Sequence, residues 1–382
     1  MLGVYRKPPM EFVRGAGVEL FDADGKAYLD FVAGIAVNAL GYGDAGLERA
    51  IRDAMEGSLI HTSNLYRTQP SERLAERLVS TSFADRVFFC NSGAEANEGA
   101  FKIARRWGRA KGGAAKHEII SLRGGFHGRL MGTLAATDRP QYRAPFRPLA
   151  GGISIAERDL DELDATLNPE TVTAVIAEPV QGEGGVRVLE PKFLQALRTL
   201  TRERGILLIL DEIQCGYGRT GKFWAYEHAD ITPDLLTTAK PMAGGFPMGA
   251  ILMTREVGDT MQPGDHGTTF GGGPFISSVA LYVLDRLSDP AMLKHVRERG
   301  VQLKKGLDAI AKGSSKVRAV RGAGLMWGVD VSEPAKDIVG RALDLGFLIC
   351  SAGEHTLRLV PPLVVSKADV ERGLTLLRHA IA

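Results

Sequence analysis

Cysteine is scarce in this 382-residue chain: Cys90, Cys215 and Cys350 are the only three, and they lie far apart. They form no Cys-x-x-Cys pair and no dense disulfide framework, which argues against a stapled secreted fold and for a reducing compartment. Excess charge is lacking too. Lys and Arg number 47 against 45 Asp and Glu, a net charge of +2, so bulk electrostatics makes no case for nucleic acid or an anionic membrane. No apolar run reaches the roughly 18 residues of a membrane-crossing helix. Residues 1–9 lack the apolar core of a signal peptide. The expectation is a soluble, cytoplasmic protein. What is present is an ordinary globular composition, 45% hydrophobic and 24% charged, in a chain long enough for two domains.

Short apolar runs at 87–90, 118–122, 172–177, 206–210 and 250–253 read as buried strands, with helical patterns at 95–111 and 192–204 between them. Strands alternating with helices predict an α/β region with a mostly parallel, doubly wound sheet. Both faces of such a sheet are covered, which is why these runs are almost entirely apolar. Residues 17–31 read instead as a hairpin around Asp24-Gly25, and a long helical pattern begins at Phe275. The expected organisation is a large domain at 46–274, with residues 1–45 and 275–382 forming a smaller α+β domain.

Chemistry concentrates in a few places. The apolar run 206–210 delivers Asp211-Glu212, and Lys240 follows about thirty positions later in Thr237-Thr238-Ala239-Lys240-Pro241. A strand-end acid can keep a pyridine nitrogen protonated, and an amine can form a Schiff base with an aldehyde, as pyridoxal phosphate requires. Ser92 and Glu95 fit a capping box after the strand 87–90, leaving first-turn N–H groups for an anion; alone, this reads as a capped helix. In Gly124-Gly125-Phe126-His127-Gly128-Arg129, the glycines admit a ligand, Phe126 offers a ring face, and Arg129 can grip a carboxylate. His127 by itself reads as a packed histidine. Glu183 follows a strand in Glu178-Pro179-Val180-Gln181-Gly182-Glu183-Gly184-Gly185, where parallel sheets form their ligand crevice. Thr268 and Thr269 lie in a glycine-rich loop that suits a phosphate.

A rival nucleotide reading takes 206–212 as a Mg²⁺-binding acid strand and Gly216-Tyr217-Gly218-Arg219-Thr220-Gly221-Lys222-Phe223 as a phosphate loop. Phe223 stands where the metal-binding Ser or Thr belongs. No helix opens after these glycines, so the dinucleotide fingerprint fails as well.

Together, in order along nearly the whole chain, these blocks resemble the class III (omega-type) pyridoxal-phosphate aminotransferases, and within them the acetylornithine aminotransferase group. Asp30-Phe31-Val32-Ala33-Gly34-Ile35-Ala36-Val37-Asn38 and Leu357-Arg358-Leu359-Val360-Pro361-Pro362 extend the match. The resemblance implies a fold-type I transferase with pyridoxal 5'-phosphate and no metal. It implies that Lys240 holds the cofactor, Asp211 pairs with the ring nitrogen and Gln214 reaches the ring oxygen. Phe126 would stack on the ring, and Ser92, Gly93 and Ala94 would bind the phosphate, joined by Thr269 from the partner of a homodimer. Arg129 and Thr268 would take the donor, with Glu183 masking Arg358 for the donor and freeing it for a dicarboxylate acceptor. The implied reaction moves the terminal amino group of N²-acetyl-L-ornithine to 2-oxoglutarate. Succinylornithine, N-acyl-lysine, succinyldiaminopimelate, ornithine and 4-aminobutyrate are alternative donors. Gly34, where relatives acting on free ornithine carry a tyrosine, leaves room for an acyl group. Three departures stand out: Gly41-Tyr42-Gly43-Asp44-Ala45 in place of Gly-His-x-His-Pro, Pro241 after the lysine, and Gly273 for the usual asparagine.

Overall fold

The computed structural model describes residues 2–4 and 10–382. Residues 1 and 5–9, most of the stretch read above for a signal core, lie outside the described residues. Among those described, no helix is long and apolar enough to cross a membrane.

The centre is a seven-stranded sheet in the order Arg86–Cys90, Gly249–Met253, Leu235–Thr238, Leu207–Asp211, Val172–Ala177, Glu118–Leu122, Ile153–Ala156. Gly249–Met253 runs antiparallel to both its neighbours, and the other pairings are parallel. Every residue of Val172–Ala177 and Leu207–Asp211 is buried, as expected of parallel strands covered on both faces. The helix Gly93–Gly112 covers one face with Ala96, Ala100, Ile103, Ala104 and Trp107, an apolar stripe at helical spacing. Small residues let it sit close: a Cβ on Gly99 would meet Ile251 Cδ1 at 2.5 Å.

Two strands of this sheet escaped the sequence reading. Ile153–Ala156 is a four-residue edge strand with an exposed serine, and Leu235–Thr238 has only two apolar residues. The long pattern from Phe275 is two helices, Pro274–Ser288 and Pro290–Gly313. Pro290 cannot supply the N–H that a continuous helix needs, and the Asp289 carboxylate accepts the Ala291 N–H at 2.7 Å to begin the second. The capping box at Ser92 is half formed. Its hydroxyl accepts the Glu95 N–H at 3.2 Å, whereas the Glu95 carboxylate turns to the N–H and side-chain amide of Asn91, at 2.7 and 2.9 Å.

The Asp24-Gly25 turn joins antiparallel strands Glu19–Asp22 and Ala27–Asp30, and Ala27–Asp30 pairs in parallel with Phe347–Leu348 near the other end of the chain. A second small sheet orders Val317–Ala323, Met326–Val331, Thr356–Leu359 and Cys350–Ser351. Between the N-terminal hairpin and the large sheet, residues 33–36 make a left-handed turn, with φ of 50°, 63°, 63° and 65°. Each non-glycine residue there costs roughly 1–2 kcal/mol. The buried Asp30 carboxylate offsets this by accepting the N–H groups of Val32 and Ala33 at 2.7 and 2.9 Å. The Gly41–Ala45 departure has its own use, because Asp44 caps the helix Ala45–Glu56 by accepting the Leu47 N–H at 2.8 Å.

Candidate active site

The C-terminal ends of the central strands converge with the N-terminus of the helix Gly93–Gly112. Around their junction, Gly93, Ala94, Phe126, Arg129, Glu183 and Lys240 line a cavity of about 260 Å³, floored by Asp211, Gln214, His127 and Glu178. Chain topology alone forces this convergence: in an open parallel sheet, the loops beyond the strands' carboxyl ends form the crevice.

Asp211 closes its strand opposite Thr237 on the neighbouring one. Its Oδ2 accepts from Asn97 Nδ2 at 2.8 Å and lies 2.8 Å from His127 Nδ1, and its Oδ1 accepts the Ile213 N–H at 3.1 Å. Asn97 in turn accepts the Thr237 hydroxyl at 2.7 Å and donates to the His127 carbonyl at 2.8 Å. With Asp211 only 3% exposed, these three contacts hold its carboxylate in one orientation, although Nε2 of the buried His127 has no partner of its own among the described residues. His127 is thus no passive core residue. Neither it nor Asn97 had been given a role, although Asn97 follows Gly93 by one helical turn and so shares its face.

Glu178 bridges two ligand loops, accepting the Phe126 N–H at 2.8 Å and the Gly182 N–H at 3.1 Å. Burial pushes its carboxyl up to about 7, against the pull of His127 and those two N–H groups. Glu212, beside Asp211 in sequence, points elsewhere. It accepts the N–H groups of Ala225 and Tyr226 at 2.6 and 2.8 Å, and burial raises it to about 8. That use answers the nucleotide reading: Glu212 caps the short helical segment Ala225–His228, while Arg219 in the glycine turn is buried and donates to the Leu325 carbonyl at 3.1 Å.

Lys240 borders the cavity, so part of its surface is accessible, yet protein surrounds it on the scale that governs solvation. Burial lowers its pKa, and the Arg358 charge lowers it further, against Glu183, Asp211 and Glu178. A larger share of neutral amine at neutral pH follows, which is what a nucleophile or base requires.

Arg129 lines the cavity, and Arg358 lies behind its lining residues Glu183 and Gln214. Arg129 is exposed, and its Cζ lies 3.6 Å from the Tyr142 ring centroid and 5.8 Å from that of Phe126. No sequence signal pointed to Tyr142. Arg358 is buried on Thr356–Leu359, and its Nη1 donates to Glu183 Oε1 at 2.6 Å and to Gln214 Oε1 at 3.4 Å. Burial opposes its charge, but the Cys350 sulfur and the Glu183 carboxylate outweigh this and push its pKa up. Arg139 donates to the Glu183 carbonyl, fastening that loop. Ser92, Thr268 and Thr269 are not brought to the cavity wall by this chain alone. The Ser92 hydroxyl is committed to its helix cap, Thr268 Oγ1 accepts from Asn91 at 3.1 Å, and Thr269 is exposed.

These residues fit pyridoxal phosphate. A Cβ on Gly93 would meet the Ile213 side chain at 2.8 Å, so glycine keeps the helix start close-packed and open to a ligand, while first-turn N–H groups suit a phosphate. The profile of the Aminotransferase class-III family matches residues 4–381: the chain belongs to the class-III aminotransferases, enzymes dependent on pyridoxal phosphate. Its relatives narrow the comparison. It is 45% identical over 385 residues to an acetylornithine aminotransferase of Gloeobacter violaceus, covering 100% of this chain and 96% of that one. To a mitochondrial acetylornithine aminotransferase of Alnus glutinosa it is 43% identical, covering 100% and 85%. The solved structure of an ornithine aminotransferase from Toxoplasma gondii superposes with a TM-score of 0.95 at 29% identity, covering 100% and 92%.

Proposed function

We propose that the chain moves the terminal amino group of N²-acetyl-L-ornithine to 2-oxoglutarate, yielding the acetylated semialdehyde and glutamate within arginine biosynthesis. The observation that carries this reading is the ion pair of 2.6 Å between buried Arg358 and Glu183, set apart from an Arg129 stacked on an aromatic ring. One arginine is open for the carboxylate that the donor carries. The other is neutralised until a second carboxylate arrives, which matches a monocarboxylate donor followed by a dicarboxylate acceptor. Masking has an energetic reason, since a buried charge without a partner costs several kcal/mol.

Lys240 is assigned the cofactor's aldehyde, Asp211 the ring nitrogen, Gln214 the ring oxygen and Phe126 the ring face, with Ser92, Gly93 and Ala94 at the phosphate. When bound, the cofactor supplies an aldehyde that takes up amines and a ring that accepts the electron pair left by a departing proton. Asp211, held by Asn97 and His127, would present its carboxyl group to the ring nitrogen. Lys240 would hold the cofactor, and its Nζ, when free, would be placed to take the proton from the carbon that bears the donor's amine. Glu178 holds the Phe126 and Gly182 loops at their spacing.

The acyl preference rests on Gly34. It sits in the left-handed turn with φ 63°, and a Cβ there would come within 3.2 Å of Asn38 Nδ2, so this backbone favours a residue without a side chain. A homodimer with Thr269 reaching the partner's phosphate site is consistent with the apolar surface beside that loop. Leu65, Tyr66 and Phe270 are 84%, 71% and 66% exposed, and Asn64 donates to the Thr268 carbonyl at 2.6 Å. Exposed patches of this kind mark interfaces. Thr268 is assigned the substrate side of the same loop. The pairing of Ala27–Asp30 with Phe347–Leu348 supports grouping residues 1–45 with 275–382 around a cofactor region at 46–274, and the setting is cytoplasmic.

A donor panel assayed with 2-oxoglutarate tests the reading. Acetylornithine is expected to exceed free ornithine in kcat/KM by about tenfold or more, given what one pocket group can discriminate. A preference for free ornithine, or for a succinylated or lysine-derived donor, overturns the assignment.

A further inference from the structure

Arg358 has a partner that the masking role does not use. Cys350, on the short strand Cys350–Ser351, stands directly opposite Arg358 in the antiparallel pairing with Thr356–Leu359. Residues opposite each other in such a ladder put their side chains on the same face. The sulfur accepts from Arg358 Nε at 3.4 Å, and the thiol is directed at the Arg358 carbonyl at 3.9 Å. A neutral thiol satisfies both contacts at once, since its lone pair takes the guanidinium N–H and its hydrogen points to the carbonyl.

This constrains how Arg358 can receive a carboxylate. A guanidinium offers two forked edges, one through Nε and one nitrogen, the other end-on through both terminal nitrogens. Cys350 occupies Nε, which removes the first edge. Nη1 is held by Glu183 and Gln214, so it is the end-on edge that opens when Glu183 withdraws. From this geometry we infer that Cys350 is a positioning residue for the acceptor: it anchors Nε and orients Arg358 so that an incoming dicarboxylate is taken end-on where Glu183 had been. The inference rests on the proposed role of Arg358 and extends it. Without the anchor, the guanidinium would rotate about its last torsions whenever Glu183 leaves, and that freedom would have to be lost again on each acceptor binding.

The test measures the two halves of the reaction separately on the cofactor-loaded enzyme. Glutarate, a five-carbon dicarboxylate without an amino or oxo group, is titrated calorimetrically, and the donor half-reaction is followed by its absorbance change without acceptor. For Cys350→Ala, the glutarate Kd and the KM for 2-oxoglutarate are expected to rise about tenfold, the scale of one hydrogen bond to a charged group. The donor half-reaction should stay within about twofold on that same scale. Cys350→Val, similar in volume, suited to a strand and without hydrogen-bonding groups, should show the same selective loss and serves if the alanine variant does not fold. Cys350→Ser should recover part of the acceptor affinity. Arg358→Ala is the control. If it leaves glutarate binding intact, the proposed role of Arg358 fails. If it abolishes binding while Cys350→Ala and Cys350→Val change nothing, or change donor and acceptor constants equally, the positioning role of Cys350 alone is overturned.

Discussion

The back wall of the site and its rim are built on different principles. The wall is strand-end backbone and buried polar groups bonded to one another: Asp211 is held by His127, Asn97 and the Ile213 N–H, and Asn97 by Thr237. The rim is long side chains on loops and a small sheet. Arg129 lies on a ring, Glu183 is half-buried on a loop tied down by Arg139, and Arg358 lies opposite Cys350. A wall of this kind allows one arrangement, which suits a cofactor that stays. A rim whose charges can exchange partners suits substrates that alternate between one carboxylate and two. Rigidity and exchange are thus separated in space, within one cavity of about 260 Å³.

Substitutions can break or sharpen that contrast. The largest effect is expected at the wall. Lys240→Ala removes both the covalent attachment and the proton-moving amine, so turnover should fall below detection, beyond the 10²–10⁴-fold of one general base (about 3–5 kcal/mol). Near-normal rates in that variant would leave the wall without its central group. Asp211→Asn keeps the shape and removes the charge. A fall in kcat of about 10²–10³-fold with little change in KM is expected, in line with losing one preorganised electrostatic contact. A rise in donor KM alone would shift Asp211 from wall to rim.

At the rim the loss should be selective. Arg129→Lys keeps the charge and loses the planar fork and its stacking, so donor KM should rise about tenfold while cofactor affinity, read by absorbance titration, is unchanged. Equal losses in both would erase the distinction between the two regions.

The smallest effect concerns stability. The Glu212 carboxyl titrates near 8 in the folded protein against 4.5 when unfolded. Between those values the folded state keeps a proton that the unfolded chain has released, so stability falls as pH rises from about 4.5 to about 8. Below that window the group contributes nothing to the pH dependence. Glu212→Gln should reduce the slope of unfolding free energy against pH there by up to about one proton. A slope equal to that of the parent chain would mean that Glu212 is ionised in the fold.

Much of the wall was legible in the sequence because local rules suffice for it. The run 206–210 is apolar as a covered parallel strand must be, and it delivers Asp211 at its end. Ser92-Gly93-Ala94 reads as a helix start next to a strand end. The weaker readings have physical causes as well. Leu235–Thr238 has two threonines in place of apolar residues, since Thr237 faces Asn97, and a pattern counted on hydrophobicity passes over it. His127 looks like any core histidine until Asp211, 84 positions away, is brought within 2.8 Å. Glu212 read as half of an acid pair, yet successive strand-end residues diverge, and its carboxylate turned to cap Ala225–His228.

By itself the sequence determined five of the sheet's seven strands, the order of its loops and the residue types at the cofactor wall, because burial and backbone geometry act over a few neighbouring positions. Only the tertiary structure decided which polar partners surround each charge: Asp211 meets Asn97 across 114 positions and His127 across 84, and Arg129 lies on the ring of Tyr142, whereas the Arg358–Glu183 pair was already implied by the family resemblance. Charge pairing depends on distance in space and on the loss of water. Neither exists until distant segments have been packed against one another.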